Sequence, residues 1–210
     1  MDLSLLLRGL IIGLAIAAPV GPIGVLTIRR TLANGWAIGF ATGLGAATAD
    51  ATYGAVAAFG LAAVSGALAS AQLWLRLIGG VALIMLGLRT LRAKPATATA
   101  TAPTPAGLLA AWGSTVLLTL TNPATIISFT AIFAGIGVAG SGYAGAAIIV
   151  LGVLLGSATW WLLLSGGVTL LRERLGPHIL RWANVLSGLV LAAFGVVALA
   201  SVAISAWPHR

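Results

Sequence analysis

The stretch that most constrains the fold is Gly35–Gly60, which is almost uniformly apolar or small and carries one carboxylate, Asp50. It is long enough to cross a bilayer as a helix, since a core ~30 Å thick needs about 20 apolar residues. Asp50 lies 15 residues past Gly35, which is ~22 Å along a helix. A charge at that depth costs ~2.5–3.5 kcal/mol on insertion scales. The position of Asp50 therefore needs a structural or functional reason.

The glycines of this stretch indicate where Asp50 points. Gly35, Gly39 and Gly43 recur every four residues, as small residues do where membrane helices pack closely. Asp50 follows Gly43 by seven residues, about two turns, and so shares that face. We expect it to face the bundle, either as a proton carrier or anchor for a substrate cation, or as a carboxylate neutralised by a structural partner.

The composition fits a polytopic, all-α membrane protein. Hydrophobic residues make up 60% of the 210-residue chain and charged residues 7%, against ~25% charged in soluble domains. The net charge of +8 comes from basic residues in short predicted loops, so it indicates topology and not nucleic-acid binding. The absence of cysteine removes disulfides and soft-metal ligands. We expect no cofactor and no metal.

Hydropathy predicts six transmembrane helices. A weakly polar loop is predicted at Ser65–Gln72, and a linker of Pro, Ala and Thr divides the chain, giving a first half at 1–94, a linker at 95–106 and a second half at 107–210. The predicted helices are Leu3–Ile28, Gly35–Val64, Leu73–Leu91, Gly107–Val138, Tyr143–Leu171 and Trp182–Ala206.

Two of these helices are predicted to be broken. Pro19, Gly21 and Pro22 interrupt helix 1, and Asn122-Pro123 interrupts helix 4. Broken helices free backbone groups that need partners, and they are tolerated where they are packed in protein or line a wet cavity. The alternatives are a simple kink in helix 1 and a purely capping role for Asn122.

The two halves resemble each other. The segment beginning Asp50 and ending Tyr53 aligns with Ser157 to Trp160 at a shift of 107 residues, and the glycines of the third helices align at a shift of 108. Because each half has three spans, the second half must be inverted, which is a common secondary-transporter design with its site near the midplane. Tyr53 and Trp160 are candidates to wall that cavity, or alternatively for packing or interfacial anchoring.

The loop charges predict the orientation. Eight basic residues fall on the side of loops 1–2, 3–4 and 5–6, and three on the other side. Under the positive-inside rule the first side is cytoplasmic, which places both termini outside.

The motifs resemble the lysine-exporter (LysE-type) translocator family. They are Pro19-Val20-Gly21-Pro22, then Arg29-Arg30-Thr31-Leu32, then the small-residue helix with Asp50, then Asn122-Pro123. The resemblance covers nearly the whole chain and implies a bacterial plasma-membrane exporter of amino acids that uses the proton gradient. The family's Pro-Gly-Pro is spread here over four residues, which leaves open whether Pro19 or only Gly21-Pro22 carries its role.

The sequence therefore predicts a proton-coupled exporter of amino acids or similar zwitterions. Backbone N–H groups at the breaks around Gly21 and Asn122 would bind a carboxylate, and Asp50 would bind the ammonium or carry the exchanging proton. The alternative is a channel or lipid-handling membrane protein without proton exchange. We expect no enzyme, since no nucleophile–base set is present. The glycine faces allow contacts within the chain or in a homo-oligomer.

Overall fold

The computed structural model describes residues 2–19, 21–59, 62–93, 103–121, 142–172 and 177–206. All regular elements in these ranges are α-helices, as the composition predicts. The seven described helices are α1 Leu3–Ala17, α2 Pro22–Asn34, α3 Trp36–Ala58, α4 Ala62–Arg92, α5 Pro105–Leu120, α6 Gly142–Arg172 and α7 Pro177–Ala206.

The predicted interruption of helix 1 is present. Helices α1 and α2 are bent by 80° relative to each other. Helix α1 ends at Ala17, and its C-cap Ala18 still has helical geometry and donates its N–H to the Leu14 oxygen. The helix stops there because Pro19 has no N–H to make the next hydrogen bond. Helix α2 begins at Pro22 with Gly21 as its N-cap, where the missing proline N–H has no intrahelical partner to lose. Pro19 thus ends one helix and Gly21-Pro22 begins the next.

The loop predicted at Ser65–Gln72 is wrong, because these residues belong to α4. The segment contains no proline, and three of its residues are alanine, the residue with the highest helix propensity, so its weak polarity does not interrupt the helix. The preceding helix is correspondingly shorter than predicted, since α3 ends at Ala58 and not at Val64.

Helix 4 is described only as far as its predicted break. Helix α5 begins at Pro105, where the Thr104 hydroxyl accepts a hydrogen bond from the Gly107 N–H at 3.1 Å, and it ends at Leu120. Asn122, Pro123 and the predicted continuation to Val138 lie outside the described residues, as does most of the predicted linker. The division into two halves therefore stays a prediction.

The described helices support a multi-pass membrane protein. Gly142–Leu171 and Arg181–Val202 are each long and apolar enough to cross a membrane, with mean hydropathies of 2.2 and 2.4, and the bent pair α1–α2 passes the same test as one broken span. Large apolar side chains on α7, such as Trp182 and Val197, are exposed, as expected of a lipid-facing surface. The count of six spans stays a prediction.

Two helix pairs pack in parallel. A Cβ on Gly9 of α1 would meet Ile149 of α6, and one on Gly13 would meet Val153 and Ser157, so residue numbers rise together along the two helices. Helices α3 and α5 also run in parallel: Gly45 lies against Trp112, and Tyr53 further along α3 contacts Leu120 further along α5.

Two other pairs pack antiparallel. Along α3 and α6, Gly43 lies against Trp161 while Gly54 lies against Val153. Along α4 and α7, Gly80 lies against Gly195 while Gly87 lies against Gly188, with backbone so close that an added Cβ would come within 2.7 Å of the opposing Gly188 oxygen. Since α1 is parallel to α6, α6 antiparallel to α3, and α3 parallel to α5, helices α1 and α5 run in opposite directions.

Candidate functional site

A buried chain of hydrogen bonds lies around Asp50. The Ser157 hydroxyl of α6 donates to Asp50 Oδ2 at 2.7 Å, and Trp161 Nε1 donates to Ser157 Oγ at 3.1 Å. Asp50 is 3% exposed, Trp161 4% and Ser157 fully buried. Asp50 thus faces the bundle interior, as its register with the glycines predicts, and its described partner is a neutral hydroxyl.

Small residues bring three helices together around this carboxylate. A Cβ on Gly43 of α3 would collide with the Trp161 side chain, and one on Gly13 of α1 would come within 2.8 Å of the Ser157 backbone nitrogen. A larger residue at either position would push α1 or α3 away from α6. The close approach lets the short Ser157 side chain reach Asp50, and it leaves little room for water at that contact.

The carboxylate has no ion pair in the described part of the chain. The sequence contains three acidic residues; of the other two, Glu173 lies outside the described residues. Asp2 is exposed and caps α1 by accepting hydrogen bonds from the Ser4 N–H at 3.0 Å and the Ser4 hydroxyl at 2.8 Å. These bonds hold the pKa of Asp2 below its usual value. Among the described residues, no three His, Asp or Glu side chains cluster to hold a metal ion.

Tyr53 connects α3 to the end of α5. Its hydroxyl donates to the Leu120 carbonyl oxygen at 2.6 Å, and Leu120 is the last residue of α5, where carbonyl groups lack an intrahelical donor. Trp160 of α6 is half-buried and packs against a core cluster that includes Ala17 and Ile23, the residues that flank the break in helix 1. Tyr53 therefore lies beside the end of a helix in the other predicted half.

The described residues leave room beside the break in helix 1. A Cβ built on Gly21 would meet no atom of these residues within 4 Å, although Gly21 itself is half-buried and Pro22 is buried, whereas Pro19 is exposed. The first N–H groups of α2 have no intrahelical acceptor. The structure brings Asp50 and Tyr53 into one core region with Ser157. Asn122 and Pro123, the matching candidates of the second half, lie outside the described residues.

Sequence reasoning missed Ser157 and Trp161 as neighbours of Asp50. A signal for Ser157 was available, because the alignment of the two halves of the sequence pairs it with Asp50. Trp161 carried no signal, whereas Trp160 aligns with Tyr53.

Sequence reasoning also missed the hydrogen bonds of Arg30, which it counted only as a loop charge. Its Nη1 donates to Thr42 Oγ1 at 3.2 Å, to the Ala111 oxygen at 3.1 Å and to Thr115 Oγ1 at 3.1 Å, and its Nη2 donates to Ser114 Oγ at 3.0 Å. One side chain of α2 thereby joins α3 and α5. The available signal was the scarcity of acids, which leaves an arginine pair at positions 29 and 30 without carboxylate partners nearby in sequence.

The chain was compared with known proteins. A family model described as "LysE type translocator" matches residues 14–201. The "Putative amino acid efflux protein YcgF" of Bacillus subtilis (strain 168) is 26% identical over 199 residues, which cover 92% of this chain and 94% of that protein. No solved structure gives a significant match.

Proposed function

The chain belongs to the LysE type translocator family, and from this premise we propose that it exports amino acids or similar small zwitterions across a bacterial plasma membrane. The similarity to an efflux protein along nearly the full length of both chains supports this function. The observation that carries the mechanism is Asp50, a carboxylate that is 3% exposed and whose described partner is the Ser157 hydroxyl.

The proposed architecture is an inverted repeat of two three-helix halves. Helix directions support it, because α1 and α5, the first helices of the two halves, run in opposite directions. The contacts of the third helices support it independently. At the shift of 108, Gly80 aligns with Gly188 and Gly87 with Gly195, so the Gly80–Gly195 contact and the Gly87–Gly188 contact exchange under a two-fold rotation.

Asp50 and Ser157 form a similar contact between the second helices of the two proposed halves, α3 and α6. They are equivalent in the repeat, 107 residues apart, and they are hydrogen-bonded to each other. A contact between equivalent residues lies on the rotation axis, which in inverted repeats passes through the membrane near its midplane. In the proposed repeat the carboxylate would therefore lie where alternating access exposes it to each side in turn.

In the proposed mechanism Asp50 exchanges a proton as access alternates. Low dielectric surroundings disfavour the charged form of a carboxyl group, and a neutral hydroxyl donor stabilises that form only in part. Asp50 can therefore release its proton to pair with a substrate ammonium, and regain it when the substrate leaves. The substrate carboxylate would bind the free N–H groups at the start of α2, where Gly21 leaves space, and those at the predicted break around Asn122.

The deciding experiment measures amino-acid efflux from proteoliposomes with and without an imposed pH gradient. Asp50→Asn keeps the size and an acceptor oxygen for Ser157 but cannot exchange a proton. We expect normal insertion and loss of gradient-driven efflux, whereas Asp2→Asn, the control at the exposed start of α1, should retain it. Unchanged gradient-driven efflux by Asp50→Asn would make Asp50 structural. A wild-type protein that shows no counterflow of labelled amino acids would favour the channel or lipid-handling alternative.

The helix break is tested separately. Since a Cβ on Gly21 meets no described residue within 4 Å, Gly21→Leu should insert normally but obstruct the N–H groups of α2 and reduce efflux. Gly113→Leu on α5 is the matched control, because its added Cβ likewise meets no atom of the described part of the chain within 4 Å. Asn122→Ala tests the second break in the same assay. Loss of protein in step with loss of efflux would show that Gly21 and Asn122 are only structural.

A further inference from the structure

A cavity lies between α4 and α5, away from the hydrogen bonds of Asp50. Its volume is about 440 Å³, within the ~300–1,000 Å³ typical of small-molecule pockets. Apolar side chains such as Met85 and Leu117 form most of its wall, and the charged groups on it are Arg30 and Arg89. A cavity of this volume can hold an amino acid. The two guanidinium groups on its wall favour a negatively charged group.

The Arg30 guanidinium is held in place and still has donors to offer. Its hydrogen bonds to Thr42, Ser114, Thr115 and the Ala111 oxygen use both Nη1 protons and one Nη2 proton at most. Nε–H and the second Nη2–H have no acceptor among the described residues. A guanidinium fixed by its neighbours with donors remaining is well suited to bind a carboxylate, because little side-chain entropy is lost on binding.

Within the described residues, no acid lies on the cavity wall beside these two cations. Of the three acids in the sequence, Asp2 is bonded to Ser4, Asp50 is bonded to Ser157, and Glu173 lies outside the described residues. Arg89 has no hydrogen bond or ion pair within the described ranges. The described part of the wall therefore carries two cations and no acid, which favours an anion.

The charged end of the cavity lies on one side of Asp50 along the helix axis, while the lining continues to Thr121, next to the level of Tyr53 on the far side of Asp50. Arg30 bonds to Thr42, and Asp50 follows Thr42 by eight residues of α3, a rise of ~12 Å. In the proposed topology this is the cytoplasmic side. The sequence offers no counterpart on the other side, because residues 122–141, the segment of the second half that corresponds to α2, contain no lysine or arginine.

We propose that this cavity is the cytoplasmic entry site of the transporter, in which Arg30 and Arg89 bind the substrate carboxylate before the ammonium group reaches Asp50. The inference rests on the proposed function and adds a binding site to it. It predicts that recognition on the cytoplasmic side requires a carboxylate, so that amino acids enter and their amides do not.

The charge of the cavity is tested directly by cysteine chemistry, because the natural chain contains no cysteine. Ser114→Cys on α5 and Ala82→Cys on α4 each place one thiol on the wall. Each variant is labelled in phosphatidylcholine nanodiscs with an anionic reagent, sulfonatoethyl methanethiosulfonate, and with the cationic trimethylammonium reagent. The ratio of the anionic to the cationic labelling rate should be at least about tenfold higher at these two thiols than at Thr104→Cys, at the exposed start of α5. Adding Arg30→Gln or Arg89→Gln should reduce this preference severalfold. Equal preference at all three thiols would overturn the proposal.

Protection experiments identify the ligand. A mixture of the twenty L-amino acids should slow labelling of Ala82→Cys, while a mixture of L-amino acid amides should not. Equal protection by amides would overturn carboxylate recognition. Protection by phosphatidylglycerol in the nanodisc, with none by amino acids, would instead assign the site to a lipid phosphate and overturn the proposal.

Transport kinetics complete the test and separate this inference from the proposed function. Arg89→Gln should raise the KM for efflux from the cytoplasmic side at least about fivefold with an unchanged maximal rate, and Arg89→Lys should restore most of the affinity. If the wild-type protein exports none of the twenty amino acids, the proposed function fails and this assignment with it. If it exports them and Arg89→Gln has the wild-type KM, only the entry site is refuted.

Discussion

Removal of the Ser157 hydroxyl should destabilise the protein through two partners at once. In Ser157→Ala, the Asp50 carboxyl loses the donor at 2.7 Å and the Trp161 N–H loses its acceptor at 3.1 Å. A buried donor left without an acceptor costs about 1–3 kcal/mol in water-soluble proteins, while side-chain hydrogen bonds in a membrane protein average ~0.6 kcal/mol with a maximum of ~1.7. For two bonds we therefore expect a loss of ~1–3 kcal/mol.

A double-mutant cycle with Trp161→Phe separates this effect from packing. In the wild-type protein Trp161→Phe loses packing and a hydrogen bond. In the Ser157→Ala background it loses the same packing but removes an N–H that no longer has an acceptor. Trp161→Phe should therefore cost ~0.6–1.7 kcal/mol less in the Ser157→Ala background.

The measurement is unfolding of the four purified variants by increasing mole fractions of sodium dodecyl sulfate in maltoside micelles, followed by circular dichroism. Circular dichroism is chosen because the substitution removes a tryptophan and would alter a fluorescence signal directly. Additive costs, with a coupling energy near zero, would refute the argument that Ser157 links Trp161 to Asp50. A coupling of the expected sign would show that the hydrogen-bond chain exists in the folded protein.

Three further predictions follow from the packing and the loop charges. Gly156→Ala should lower the midpoint of the same unfolding transition by an amount equivalent to ~1–3 kcal/mol, because its Cβ would collide with the backbone of α1. The control Gly113→Ala should raise the midpoint by an amount equivalent to roughly 0.5–1 kcal/mol. Equal effects of the two substitutions would contradict the described packing of α1 on α6. Tyr53→Phe should cost about 1 kcal/mol in that assay, because the Leu120 carbonyl loses its donor; an unchanged midpoint would count against this contact. A phosphatase fusion after Ala33 should be inactive, because that loop is predicted to be cytoplasmic. An active fusion would show that the topology is the reverse of the predicted one.

The break in helix 1 and the direction of Asp50 could be predicted because both depend on local chemistry. Pro19 and Pro22 cannot continue a helix with normal hydrogen bonding, whatever packs around them. Asp50 shares a face with glycines spaced for close helix contact, and in a bilayer that face must be the one turned away from lipid. Backbone sterics and the cost of exposing charge to hydrocarbon act on the sequence alone, without knowledge of the partner helix.

The partners of these residues could not be predicted in the same way. Nothing local distinguishes Trp161 from Trp160, and which of them reaches the core depends on how α6 is rotated against α3. Arg30 reads as one of several loop charges until α5 supplies its hydroxyl and carbonyl acceptors. The predicted loop at Ser65–Gln72 failed for another reason, since weak polarity was taken as a loop signal where helix propensity remained high.

The proposed mechanism combines a nearly symmetric packing scheme with asymmetric chemistry. The third helices contact each other through glycines that exchange under the repeat, so the scaffold favours neither half. At the proposed axis, however, one predicted half contributes Asp50 and the other contributes Ser157. A second carboxylate at the serine position would place two acids in contact, and like charges that close cannot both be ionised. A hydroxyl avoids that conflict and still binds the carboxylate. The proposed entry path is asymmetric for a similar reason. Arg30 lies on α2, whereas residues 122–141, which correspond to α2 in the predicted repeat, carry no basic residue. Divergence at these few positions, and not in the helix packing, is therefore what would let a two-fold scaffold load substrate on one side and release it on the other.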